Sequence, residues 1–182
     1  MNAGIAIAGS GGQGVLLMGR LLAEAGLKEG HEVVWLPFYG AEKRGGVVSC
    51  HVIISDDRDG ALFVTRPTAA IAMNQASMEK LAPAVAPGGL LVANRGQAAP
   101  PGENGIRMVN VPGMEIAAEL GDGLAGNMVV LGALAAAEPV VSVASLVAAL
   151  EIIFRGRNHA DINQRALVRG YELVAGGIKK TV

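Results

Sequence analysis

Short apolar runs that a sheet would bury alternate with longer segments of helical period up to about residue 120, after which only helical periods remain. Ile5-Ala6-Ile7-Ala8 reads as the first strand, and Val15 to Glu29 as the first helix. In that helix Val15, Leu16, Met18, Leu22, Ala25 and Gly26 fall near one face, the spacing of a helix packed on a sheet. Gly30 stops it, and Glu32 to Leu36 reads as the second strand. A strand–helix–strand unit of this length predicts a right-handed crossover to a parallel neighbour. Phe38 to Gly46 is a polar, Gly-rich loop, and Val47 to Ser55 has the β-branched content of a strand. Thr68 to Met73 is a further strand; Asn74 caps a helix that runs to about Val85, is broken at Pro83 and ends around Pro87-Gly88-Gly89. Leu90 to Ala93 and Ile106 to Val111 read as strands flanking a Pro- and Gly-rich loop, Gln97 to Gly105. Helices follow over Met114 to Leu120, Asn127 to Ala137, Ser142 to Phe154 and Asp161 to Ala175.

The six residues Gly9, Ser10, Gly11, Gly12, Gln13 and Gly14 join the first strand to the first helix. Gly9, Gly11 and Gly14 satisfy the spacing G-x-G-x-x-G in the strand–turn–helix setting that gives it meaning. Such a turn presents backbone N–H groups at a helix N-terminus, where the helix dipole favours an anion. The same glycines also serve simply to let the helix lie close on the sheet, so both readings stand. A dinucleotide-binding domain ends its second strand with Asp or Glu to hold ribose hydroxyls. Here that strand reads Val33-Val34-Trp35-Leu36-Pro37, and the dehydrogenase reading loses its second support. Together the alternation and the glycine turn predict an α/β fold, a three-layer Rossmann-like sandwich with a mainly parallel sheet and a helical C-terminal part. Residues 1–182 are expected to form one domain.

Composition sharpens this picture at two points. Hydrophobic residues make up 51% of the chain and charged ones 17%, against roughly 25% charged in an average domain. Too little charge remains to cover the surface, so part of it is expected to lie against other chains. The net charge of −1, with no basic run, argues against nucleic-acid binding, which draws on clustered Lys and Arg. The most apolar region, Leu124 to Leu150, is interrupted by Asn127, Glu138 and Pro139. It falls short of the ~20 apolar residues a spanning helix needs. No signal peptide is visible, and a single cysteine, Cys50, excludes an internal disulfide and fits a cytoplasmic protein.

Other candidate chemistry is thin. Arg44, between Glu42 and Gly45-Gly46, offers a planar fork for a carboxylate or phosphate, or pairs with Glu42 or a partner chain. Asp56-Asp57-Arg58-Asp59-Gly60 is a charged turn too bunched for an EF-hand. Gly121-Asp122-Gly123 resembles the start of a thiamine diphosphate motif but follows a helix and lacks the expected downstream asparagines, so its glycines read as a break between helices. His31, His51 and His159 fall on separate elements without a zinc-ligand spacing. Ser10 lacks a nucleophile elbow, and Cys50, inside an apolar strand, reads as a buried small hydrophobe.

Taken in order, several segments resemble the gamma subunit or gamma domain of 2-oxoacid:ferredoxin oxidoreductases. They are Gly11-Gly12-Gln13-Gly14, Tyr39-Gly40 with Glu42 and Arg44-Gly45-Gly46, and Val52-Ile53-Ile54-Ser55-Asp56, then Gly88-Gly89 and Val111-Pro112 with Glu115-Ile116-Ala117. Asn127-Met128-Val129-Val130-Leu131-Gly132-Ala133 and Asn163 with Gly170-Tyr171 complete the set. Ala41 and Leu167 depart from residues common in the family and leave the subtype open among 2-oxoglutarate, pyruvate, branched-chain and indolepyruvate enzymes, with 2-oxoglutarate favoured. The resemblance implies oxidative decarboxylation of a 2-oxoacid with coenzyme A, electrons passing to ferredoxin. It implies alpha and beta, and in some cases delta, partner subunits carrying thiamine diphosphate, magnesium and iron–sulfur clusters. This chain itself would hold none of those groups and be inactive alone, with a homodimer as the alternative assembly when isolated. Coenzyme A is the expected co-substrate, and Gly9 to Gly14, Arg44 and Asn127 are the residues expected to bind it.

Overall fold

The computed structural model describes residues 1–39, 47–57, 65–95, 105–155 and 159–177. Its elements, in chain order, are β1 (Asn2–Ser10), α1 (Val15–Lys28), β2 (Glu32–Tyr39), β3 (Val47–Ser55), β4 (Ala69–Ala72), α2 (Gln75–Leu81), β5 (Leu90–Asn94) and β6 (Arg107–Val111). The helices α3 (Gly113–Glu119), α4 (Gly126–Ala137), α5 (Val143–Ile153) and α6 (Ala160–Ala175) follow. Pro83 ends α2 in a 3-10 turn over Ala82–Ala84, and Asp122 opens another over Gly123–Ala125 by accepting the N–H of Leu124 at 2.9 Å. The Gly121-Asp122-Gly123 stretch is thus a break between helices.

The strands form one sheet in the order β2-β3-β1-β4-β5-β6. β1, β4, β5 and β6 run parallel, as expected, with Ile5 beside Ala69 and Ile71 beside Val92. The expectation that β2 lies next to β1 is corrected: β3 stands between them, antiparallel to both, pairing Ile7 with Cys50 and Leu36 with His51. Two physical causes agree on this. Residues 40–46 are too few for a parallel crossover, which takes a dozen or more residues, so β3 must return antiparallel to β2. β3 is also buried on both faces at its C-terminal end, with Cys50, Val52 and Ile54 fully buried on one and Ile53 and Ser55 buried on the other, so it takes an interior place while the half-buried β2 takes the edge.

Alternation along β1 divides the core. Ile5 and Ile7 face a large cluster shared with α1, α4, α5 and α6, while Ala6 and Ala8 face a smaller one with Ala70, Ala72, Ala93, Met78 and Leu81 under α2. Small alanines on the second face let the short α2 sit close. Each large side chain buried this way contributes about 1.5–3 kcal/mol. On the first face Gly19 of α1 leaves room for Cys50 and Trp35, whose Sγ and Nε1 would lie 2.5 and 2.8 Å from a Cβ there. α4 and α6 meet backbone to backbone: a Cβ on Gly132 would lie 2.0 Å from the Leu167 carbonyl oxygen, and one on Gly170 1.9 Å from that of Val129. No helix among the described residues is long and apolar enough to cross a membrane.

Candidate functional site

From β1 the chain departs through α1 toward β2 and β3; from β4 it departs the opposite way, through α2 toward β5 and β6. The crevice outside the carboxyl ends of β1 and β4 is therefore the topological switch point, where open α/β sheets bind their ligands. The glycine loop lies there.

The structure separates the loop's glycines by what they do. Gly9 and Gly14 are packing positions: a Cβ on Gly9 would lie 2.8 Å from Gln13 Oε1 and 2.9 Å from Val15 Cγ2, and one on Gly14 1.8 Å from Asn127 Nδ2. Gly11 and Gly12 pack against none of the described residues, for a Cβ on either would meet none of their atoms within 4 Å. Gly12 and Gly14 also hold positive φ, 92° and 71°, which side-chain-bearing residues adopt at a cost. Gly14 is the N-cap of α1 and supplies no side-chain bond, so the first-turn N–H groups at Val15 and Leu16 have no partner among the described residues. The packing reading holds at Gly9 and Gly14, which let the helix close on its neighbours, while at Gly11 and Gly12 no described atom blocks the approach to its N-terminus.

Side chains hold the loop in place. Ser10 N–H donates to Gln13 Oε1 at 2.7 Å, Gln13 N–H to the Ser10 carbonyl at 3.1 Å, and Gln13 Nε2 to the Met73 carbonyl at 3.3 Å. Asn74 Nδ2 donates to Ser10 Oγ at 2.9 Å and to Gln13 Oε1 at 3.1 Å. Asn127, 6% exposed at the start of α4, accepts the Met128 N–H on Oδ1 at 3.0 Å. That bond orients its amide, so Nδ2 stands against Gly14 with no acceptor among the described residues. An unpaired amide donor beside a helix N-terminus is chemically suited to a phosphate or carboxylate oxygen.

The structure thus brings Gly9 to Gly14 and Asn127 together, though 113 positions separate Gly14 from Asn127 in the chain. Arg44 lies outside the described residues. Asn74 is legible in the sequence only as a helix cap; its second bond set, to Ser10 and Gln13, depends on β4 lying beside β1. The dinucleotide reading weakens further, since β3 separates the end of β2 from the glycine loop. Cys50 is no nucleophile: burial pushes its thiol up to about 11, against the smaller opposing effects of Trp35 and the Gly19 N–H, and Sγ donates to the Val15 carbonyl at 3.5 Å. His51, whose ring meets Phe38 edge-on at 5.2 Å, is held below the usual histidine value by burial and by Lys80. Among the described residues no three His, Cys, Asp or Glu side chains gather as metal ligands. A single buried thiol cannot by itself ligate an iron–sulfur cluster, whereas backbone N–H groups and a carboxamide donor are the chemistry that suits an anionic ligand.

Comparison with known proteins extends this picture. The family model described as pyruvate ferredoxin/flavodoxin oxidoreductase matches residues 4–173. Ketoisovalerate oxidoreductase subunit VorA of Methanothermobacter thermautotrophicus is 39% identical over 170 residues, covering 92% of this chain and 35% of the relative. The crystal structure of a keto/oxoacid ferredoxin oxidoreductase gamma subunit from Geobacter sulfurreducens superposes with a TM-score of 0.82 at 28% identity, covering 96% of this chain and 99% of that one. A 2-oxoglutarate:ferredoxin oxidoreductase from Magnetococcus marinus, described with 2-oxoglutarate, coenzyme A and succinyl-CoA bound, also superposes with a TM-score of 0.82, at 26% identity over 99% of this chain and 32% of that one. The chain spans about a third of the VorA and Magnetococcus chains and nearly all of the Geobacter gamma subunit. With sheet, glycine loop and matched length in agreement, the chain belongs to the pyruvate ferredoxin/flavodoxin oxidoreductase family and is homologous to the gamma subunits of 2-oxoacid:ferredoxin oxidoreductases.

Proposed function

We propose that residues 1–182 act as one gamma-type domain of a cytoplasmic 2-oxoacid:ferredoxin oxidoreductase and hold coenzyme A at the glycine loop. In the reaction the bond between the carboxylate and the oxo carbon breaks, carbon dioxide leaves, the acyl group joins the coenzyme A sulfur as the thiol loses its proton to solvent, and the electron pair left by carbon dioxide passes to oxidised ferredoxin. Thiamine diphosphate, magnesium and the iron–sulfur clusters are assigned to alpha, beta or delta partners, as the family resemblance implies; the one cysteine of this chain, Cys50, is buried and cannot ligate a cluster by itself. Gly9 to Gly14 and Asn127 would contact the pyrophosphate of coenzyme A, with Arg44 as a further phosphate ligand. The observation that carries this reading is that, among the described residues, nothing lies against Gly11 and Gly12 in front of unpaired N–H groups and the Asn127 amide. Leu124, 81% exposed, with Met114 and Val47 also exposed toward the carboxyl ends of the parallel strands, supports contact with partner chains there. The ketoisovalerate relative supports a branched 2-oxoacid and the 2-oxoglutarate synthase KorC relative, of which the chain covers 94%, supports 2-oxoglutarate, so both are carried into the test.

The test is Gly11→Ala in the assembled complex. A Cβ at Gly11 meets no atom of the described residues within 4 Å and the residue does not hold a positive φ, so the fold should be unaffected. The methyl intrudes only where a ligand approaches, and the KM for coenzyme A should rise roughly tenfold, equivalent to about 1.4 kcal/mol. An unchanged KM for coenzyme A, with ketoisovalerate or 2-oxoglutarate as the oxoacid, would remove coenzyme A from this loop.

A further inference from the structure

One carboxamide, that of Asn74, spans the crevice between β4 and the glycine loop. Its Oδ1 accepts the Ser77 N–H at 2.9 Å and so caps α2. This orients the amide: Nδ2 faces the loop, donating to Ser10 Oγ at 2.9 Å and Gln13 Oε1 at 3.1 Å. Gln13 Oε1 also receives the Ser10 N–H, which leaves Gln13 Nε2 to reach the Met73 carbonyl. Every oxygen and nitrogen of the two amides is therefore assigned by its partner.

The loop needs such a constraint. Gly11, Gly12 and Gly14 carry no side chains to pin it, and none of the described residues packs against Gly11 or Gly12. N–H groups bind an anion well only if their directions are held before it arrives; otherwise ordering the loop consumes part of the binding energy. Ser10 Oγ, having accepted a bond from Asn74, keeps its own proton to give.

We propose that Asn74 is a positioning residue for the anion carried by the glycine loop. Its Nδ2 holds Ser10 and Gln13 so that the loop N–H groups converge outward, and it makes the Ser10 hydroxyl a donor to the same anion. The proposal rests on the preceding reading for the identity of the ligand, coenzyme A, but not for the state of the loop.

Two substitutions separate capping from positioning. Asn74→Ser and Asn74→Asp both preserve a good N-cap for α2, and both lose the donors to Ser10 and Gln13. Asp adds a negative charge beside the anion. Melting of the full chain should change little in either variant, while amide hydrogen exchange over Ser10 to Leu16 should accelerate in both. In the assembled complex the KM for coenzyme A should rise about threefold to tenfold in Asn74→Ser, as expected for one lost neutral hydrogen-bond set, and further in Asn74→Asp. The kcat at saturating coenzyme A should hold, which a merely destabilised loop or helix would not produce. Unchanged exchange over Ser10 to Leu16 in both variants would overturn the proposal. Accelerated exchange with an unchanged KM would uphold the positioning of the loop and remove coenzyme A as its ligand.

Discussion

Single residues in this chain serve by what they leave free as much as by what they touch. Gly11 and Gly12 leave open the approach to the α1 N-terminus, whereas Gly9 and Gly14 leave room for Gln13, Val15 and Asn127. Glu29 is the opposite case, a carboxylate fully engaged at the far end of α1. Its Oε1 accepts the Ser142 N–H at 2.8 Å and the Ser142 hydroxyl at 2.7 Å, tying the end of α1 to the N-cap of α5. Burial alone would raise its pKa, but the two Ser142 bonds, with Ser145 and His31, outweigh it and hold the carboxyl below its ordinary 4.5. A carboxylate whose folded value is depressed stabilises the fold above the unfolded value and loses that contribution as pH falls through the folded one. Glu29→Gln should therefore cost about 1 kcal/mol at pH 7. In denaturant titrations the gap between variant and wild type should close as the pH falls below 4.5. A gap independent of pH would show that the charge of Glu29 contributes nothing.

At the level of elements, the joint between α4 and α6 is the most demanding. Gly132 and Gly170 bring the two backbones so near that the carbonyl oxygens of Leu167 and Val129 occupy the places of their missing side chains. Backbone atoms inside helices cannot give way as a side-chain end can. Gly170→Ala gains about 1 kcal/mol of helix propensity but forces the helices apart, at an expected cost of roughly 1–3 kcal/mol together with looser packing along the rest of the joint. Net destabilisation should appear as a lower denaturant midpoint with an unchanged slope. A midpoint at or above that of wild type would mean that the joint yields without cost. The joint also holds the start of α4, which places Asn127 against Gly14, so loosening it should weaken ligand binding at a distance.

For the molecule as a whole, the proposed division of labour with partner subunits makes the clearest prediction. Among the described residues, the glycine turn proposed to hold an anion and exposed apolar side chains, Leu124 most of all, lie at the same end of the sheet. The chain expressed alone should melt cooperatively, bind coenzyme A weakly, and reduce no dye from a 2-oxoacid when thiamine diphosphate, magnesium and coenzyme A are supplied. Activity should arise on adding the partner subunits. Turnover by the isolated chain on the order of 1 s⁻¹, the low end of ordinary enzymes, would overturn this division.

Local signals are enough for much of this. The glycine turn, the α1 face, the Asn74 and Ser142 caps and the break at Pro83 are each specified by neighbours within a few residues, because hydrogen bonds at helix ends and side-chain periodicity act at that range. The four parallel strands, the helical C-terminal part and the family resemblance follow from the order of those signals. What lies beyond them is every feature created by strand placement. The insertion of β3 beside β1, the meeting of Asn127 with Gly14, and the bonds from Asn74 to Ser10 all join segments far apart in sequence. Even the α1 face is only partly legible: Leu21 is fully buried, and Gly19 matters because Trp35 and Cys50 pack over it once β2 and β3 are in place. Sequence determined which segments could fold and which turn could carry an anion. Which side chains face that turn was decided by the tertiary structure, because contact between distant residues follows from how the sheet buries its apolar faces and not from any spacing along the chain.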